Sequence, residues 1–177
     1  MEQTTIWGIL LAVFVALSVG LAIALAAVSY ALRNRKKTGR EVHVEYLKPD
    51  YTRSAGFQLV SLPDDDILTP TRYWLVDGEI AEVEYAVAYS NDVTFRVAPV
   101  GNLQVPEKYA GFNYQSLGSY NVGDVDVTLQ QSPGQASILN WSKNGFDYAV
   151  FAPGSEMNLM GGVSQQFVTE SNAVYER

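Results

Sequence analysis

The chain has no cysteine and a single histidine in 177 residues. Disulfide scaffolds, cysteine nucleophiles and thiolate metal sites are thereby excluded. His43 has no cysteine or second histidine to complete a metal site, and no positioned serine or aspartate to make it a general base. It lies in a charged stretch and reads as a solvated linker residue. No phosphate-binding loop, nucleophile elbow, metal-ligand spacing or cofactor motif occurs. The expectation is a non-enzyme with no catalytic, cofactor-binding or metal residues.

Basic charge is scarce over most of the chain. Arg33, Arg35, Lys36, Lys37 and Arg40 carry five of the twelve basic residues. From Glu41 onward 18 acidic residues face 7 basic ones, a net of −11. Such a portion is repelled by nucleic acid and by anionic headgroups, so neither is an expected partner for it.

Charge and proline are missing altogether from Ile6–Leu32. As a helix this run spans roughly 40 Å, enough to cross a bilayer with some tilt. Met1–Thr5 is a short flank with Glu2 and no Lys or Arg. The apolar run is also far longer than a signal-peptide core, and a lipobox would need a cysteine. An uncleaved single-pass anchor in the cell membrane is expected, with the bilayer as its partner. The basic flank follows the anchor, so the positive-inside rule places the rest of the chain in the cytoplasm. Gly8, Ala12, Ala16, Gly20 and Ala24 recur at every fourth position. They form a small-residue stripe suited to a second membrane helix or to self-association as a homo-oligomer.

The organisation expected is a flank over 1–5, a transmembrane helix over 6–32, and a basic juxtamembrane linker over 33–55. A β-meander domain with a C-terminal helix fills 56–177. Within the linker, Val42, Val44 and Tyr46 suggest a short strand. Alternation then marks Phe57–Leu62, Tyr73–Val76, Ile80–Tyr89 and Val93–Val97. It resumes over Ser116–Val122, Val125–Leu129, Ile138–Trp141 and Phe146–Phe151. Asp77-Gly78 and Asn144-Gly145 suit type I′ hairpin turns. Pro99–Asn113 breaks the alternation, and Pro106–Tyr109 suggests a helical turn. The run to Tyr175 keeps a helical period through Met160, Val163, Phe167 and Val174, with Ser155 as N-cap. Gly161-Gly162 weakens that helix, or else the helix begins after the pair. The fold class is α+β: seven or eight antiparallel strands in a curved sheet, covered by the helix.

Two passages carry a resemblance. DGEIAEVEYA with VTFRVAP spans Asp77–Pro99, and VDVTLQQSPGQASILNWSKNGFDYAVFA spans Val125–Ala152. In that order they are similar to a family of bacterial membrane-anchored domains of unknown function, some found at the ends of anti-sigma-factor-like proteins. More distantly they resemble the curved half-barrel of lipoprotein-carrier domains. The resemblance covers roughly Gly56–Arg177. It implies an extracytoplasmic domain, opposite to the charge count, and no catalytic residues.

Asp64-Asp65-Asp66 lacks the glycine and spaced oxygens of a calcium loop and reads as solvated. Glu82 and Glu84 share a strand face and read as exposed alternation. Tyr109, Phe112, Tyr114 and Tyr120 cluster around the irregular segment and form the candidate binding surface. The function expected is a non-catalytic, membrane-tethered domain that binds a protein partner. The alternative is a sensor or carrier holding an apolar ligand against Tyr85, Phe95, Trp141 or Tyr148 on a concave sheet face.

Overall fold

The computed structural model describes residues 41–46, 49–154 and 162–176. The span over Ile6–Leu32, its small-residue stripe, the basic flank and the Ser155 cap lie outside the described residues. Among the described residues no helix is long and apolar enough to cross a membrane. Glu41–Arg177 forms one folded unit.

Among the described residues ten strands occur in chain order. They are β1 (His43–Tyr46), β2 (Phe57–Ser61), β3 (Leu68–Val76), β4 (Ile80–Val87), β5 (Val93–Pro99), β6 (Gln115–Val122), β7 (Val125–Ser132), β8 (Ala136–Lys143), β9 (Phe146–Pro153) and β10 (Asn172–Tyr175). An α-helix, α1 (Gly162–Glu170), precedes β10, and short 3-10 turns occupy Pro49–Ala55 and Glu107–Tyr109. Eight strands form an antiparallel sheet in the order β1-β3-β4-β5-β9-β8-β7-β6, while β2 and β10 pair separately. The linker read over 33–55 thus contributes β1 and a 3-10 turn to the fold.

The expected hairpins form where the turn chemistry demands them. Asp77 and Gly78 have φ of 52° and 73°, and Asn144 and Gly145 have 55° and 83°. Both pairs supply the two positive angles that a type I′ turn requires. From β3 onward the meander is interrupted once. β5 ends at Pro99 and pairs with β9 rather than β6, because the non-alternating stretch after Pro99 does not continue as a strand. Residues 100–114 instead carry the chain to the far edge, and the return meander β6–β9 closes back onto β5.

One sheet face, here the inner face, holds the main core. Val83, Tyr85, Phe95, Leu139, Trp141 and Tyr148 pack there with Phe167 and Val168 of α1 and with Phe57 and Ala173 of the β2–β10 ribbon. The Phe167 ring stacks on Phe95 with centroids 5.6 Å apart and meets Tyr85 edge-on at 5.0 Å. Such pairs add about 0.5–1.5 kcal/mol each beyond the area they bury. Lys143 donates to the Val168 and Ser171 carbonyls, meeting the acceptors left free where α1 ends. The helical reading carried through to Tyr175 is corrected here. Val174 lies in β10, because the Ala173 N–H donates to the Tyr148 hydroxyl and the chain extends along β2.

Candidate functional site

The opposite, outer face contains the least expected feature of the chain. Period-2 alternation along β4 and β5 places Glu82 opposite Arg96 on this face, where polar residues ordinarily meet water. Arg96 is nevertheless completely buried and Glu82 is 5% exposed. The segment 100–114 covers them as a strap. Arg96 Nε donates to Glu82 Oε2 at 2.6 Å. Its Nη1 donates to Glu41 Oε1 at 2.7 Å and to the Gln104 carbonyl at 2.9 Å, and its Nη2 donates to Glu41 Oε2 at 2.8 Å. Glu41 thus meets the guanidinium fork-to-fork, and one side chain ties together the start of β1, the centre of β4 and the strap. The reading of Glu82 as exposed alternation is corrected: a covered face requires a counter-charge for a buried carboxylate.

His43 is exposed, as expected, but it lies in β1 beside this cluster and not in a linker. Its Nε2 lies 3.5 Å from Glu41 and 3.7 Å from Glu82, and its ring meets Trp74 edge-on at 5.8 Å. Burial opposes ionisation of Glu41, but the hydrogen bonds and charge of Arg96 outweigh it, so its pKa falls below the ordinary 4.5. Burial likewise opposes the charge on Arg96, and Glu41 and Glu82 more than restore it. Four hydrogen bonds to partners within the cluster hold the guanidinium. The cluster organises the fold and leaves no guanidinium free to hold a substrate. A pocket of about 380 Å³ beside it is walled by His43, Trp74, Glu84, Glu107 and Lys108. Lys108 lies 4.0 Å and Arg72 3.8 Å from Glu84.

The strap also builds the larger opening on this face. Tyr109 is buried and stacks on Phe151 of β9 at 5.7 Å, with Ala136, Ile138 and Ala149 around it. The Tyr114 hydroxyl donates to the Tyr109 carbonyl at 2.8 Å, and the Gly101 N–H donates to Asp147 Oδ2 at 2.8 Å. Between the strap and β7–β9 runs a groove of about 680 Å³. Leu103 and Val105 of the strap line it together with Ile138 and Phe151, and Thr128, Gln130 and Asn140 add hydrogen-bonding groups. Among the described residues Asp124, Asp126 and Asp147 are its charged lining, and no Lys or Arg lines it. Among the described residues no group of acidic or histidine side chains is placed to hold a metal ion.

The strap brings together Tyr109, Phe112 and Tyr114 of the candidate surface, with Phe112 and Tyr114 half-buried and 6.3 Å apart. Tyr109 itself serves as the strap's anchor in the sheet. Tyr120 does not join them: it packs from β6 against the inner-face core. Tyr85, Phe95, Trp141 and Tyr148, the residues considered for an apolar ligand, are 0–3% exposed and packed against one another or α1. Asp65 is more than a solvated acid. Its Oδ1 accepts from the Ile67 and Leu68 N–H groups and its Oδ2 accepts from Gln166 of α1. Those bonds, the Leu68 N–H foremost, hold its pKa below the ordinary range.

The Glu82–Arg96 pairing is set by a turn through Ala88-Tyr89, with Tyr89 at a φ of 61°, and the register drawn from Ser90-Asn91-Asp92 would have missed it. Glu41 carried no signal, lying 55 residues from the guanidinium it grips. No protein-family model matches the chain, and neither does any curated protein or any solved structure.

Proposed function

We propose that this chain is a non-catalytic interaction domain, tethered to the membrane by Ile6–Leu32, whose outer sheet face receives a segment of a protein partner. The observation that carries the reading is the groove between the strap and β7–β9. It combines an apolar floor with amide and hydroxyl groups at strand spacing and carboxylates lacking a basic neighbour in the lining. An extended segment bearing a Lys or Arg complements all three properties. The densely packed inner face supports the same choice over a ligand carrier, since the aromatic residues that would line a cavity fill the core instead. The basic flank supports a cytoplasmic position for the domain.

A photo-crosslinking side chain at Asn140 in the full-length chain, activated in native membranes, tests this reading. A discrete protein adduct is expected from Asn140 and not from Val60, which is exposed on β2. It should disappear when Asp124 and Asp126 are replaced by Lys. Equal adducts from both positions, or an Asn140 adduct indifferent to the charge reversal, would overturn the reading.

A further inference from the structure

The two edges of the eight-stranded sheet differ in how they are guarded. β1 is four residues long, carries Glu45, and is held at its start by Glu41 in the Arg96 cluster. Short, charged strands of this kind are the usual protection of an edge. β6 at the other edge has eight residues, most of them exposed, and no described strand pairs with its outer side. No charged residue or proline occurs between Lys108 and Asp124. Its one irregularity lies between Ser116 and Gly118, which leaves Gly118–Val122 in regular register with β7.

The direction of the unpaired groups follows from the hairpin. Val122 and Val125 flank the two-residue Gly123-Asp124 turn and face each other across it. Two-residue hairpin geometry turns the backbone groups of Val122, and of Tyr120 two residues earlier, toward β7. Ser119 and Asn121 therefore present their N–H and C=O groups outward.

We infer that β6 is a self-pairing edge, on which a second copy of this chain lays its own β6 antiparallel about a two-fold axis at Tyr120. An antiparallel pair centred there sets Ser119 of each copy opposite Asn121 of the other, and each such pair exchanges two backbone hydrogen bonds. The arrangement is isologous and closes as a dimer. The two Tyr120 side chains become a cross-strand aromatic pair on the inner face. Charge selects this edge. A domain with a net of −11 repels its own copy across most of its surface, and β6 is where two copies meet without opposing like charges. Asp124 lies just beyond the strand and Asp126 sits opposite Asn121 on β7, so association strengthens as salt screens them. The pairing leaves the strap groove open and is independent of the partner proposed there.

The native chain lacks cysteine, which makes the test direct. Full-length protein in nanodiscs carrying Tyr120→Cys is oxidised and compared with Ser142→Cys, an exposed position on β8. A disulfide dimer is expected from the first and not from the second. Light scattering of the otherwise native chain should report a protein mass of twice 19.5 kDa. Ser119→Pro should weaken that association at least tenfold while leaving thermal stability unchanged, because the outward N–H of an edge strand is dispensable to β7. A monomer in both measurements overturns the inference. So does a dimer that survives Ser119→Pro while the Tyr120→Cys variant forms no disulfide, which would place the contact elsewhere on the chain.

Discussion

Replacing Arg96 by alanine removes the guanidinium that two buried carboxylates share. The side chains of Glu41 and Glu82 are 9% and 6% exposed, so neither regains water unless the strap lifts. Removing one partner of a buried ion pair costs about 3–5 kcal/mol. The Gln104 carbonyl loses its donor as well, adding about 1 kcal/mol. Against a typical folding free energy of about 5–15 kcal/mol, the loss is about a quarter or more of the total. For a domain of this size the melting temperature falls by about 10–20 °C. Thermal and urea unfolding of the full-length chain, followed by near-ultraviolet circular dichroism, measures the loss. Arg96→Met combined with Glu41→Leu and Glu82→Leu should recover at least half of it, since apolar residues of similar volume often replace a buried ion cluster without loss. A shift below about 3 °C for Arg96→Ala would mean that the carboxylates are solvated. A triple variant no more stable than Arg96→Met would mean that packing, not charge, carries the effect.

Acidification should act through the same cluster. Glu41 has a depressed pKa, so its contribution is fully present above its ordinary 4.5 and is lost as pH falls through the lower folded value. Melting temperature should therefore decline below that pH, and Glu41→Gln should flatten this part of the profile. Tyr109→Ala removes the strap's stack on Phe151 and should cost about 3 kcal/mol in urea unfolding. Hydrogen-exchange protection should fall first in 100–114 and only later in β8 and β9. An alanine at Gly145 takes up a φ of 83° and brings its Cβ to 3.2 Å from the Tyr175 ring, so Gly145→Ala should cost about 1–2 kcal/mol and loosen β10. A single cysteine at exposed Asp66 should react with an impermeant maleimide only after the membrane is broken. Labelling in intact cells would place the domain outside and overturn the charge-based orientation.

Local chemistry accounts for what was legible beforehand. The hairpin turns follow from residue types that tolerate positive φ, and the strands from period-2 alternation, both readable within a few residues. The end of the chain was harder. Phe167 and Val174 share a helical spacing by coincidence, and only the pairing of Ala173–Tyr175 with β2 separates helix from strand. Glu82 misled for a related reason. Alternation states which face a residue occupies, and it does not state whether that face is covered.

By itself the sequence determined the charge distribution, the absence of thiol chemistry, the antiparallel hairpins and the apolar stretch suited to a membrane. All of these depend on residue type and near-neighbour spacing. Tertiary structure alone decided that β5 pairs with β9, that the irregular segment crosses the outer face as a strap, and that Arg96 binds Glu41 from 55 residues away. The groove arises from those same decisions, because its walls come from segments that meet only once the return meander has closed onto β5. Contacts of that kind depend on the closure of long loops, whose free energy is set by the whole packed assembly and leaves no local trace in the residues that make them.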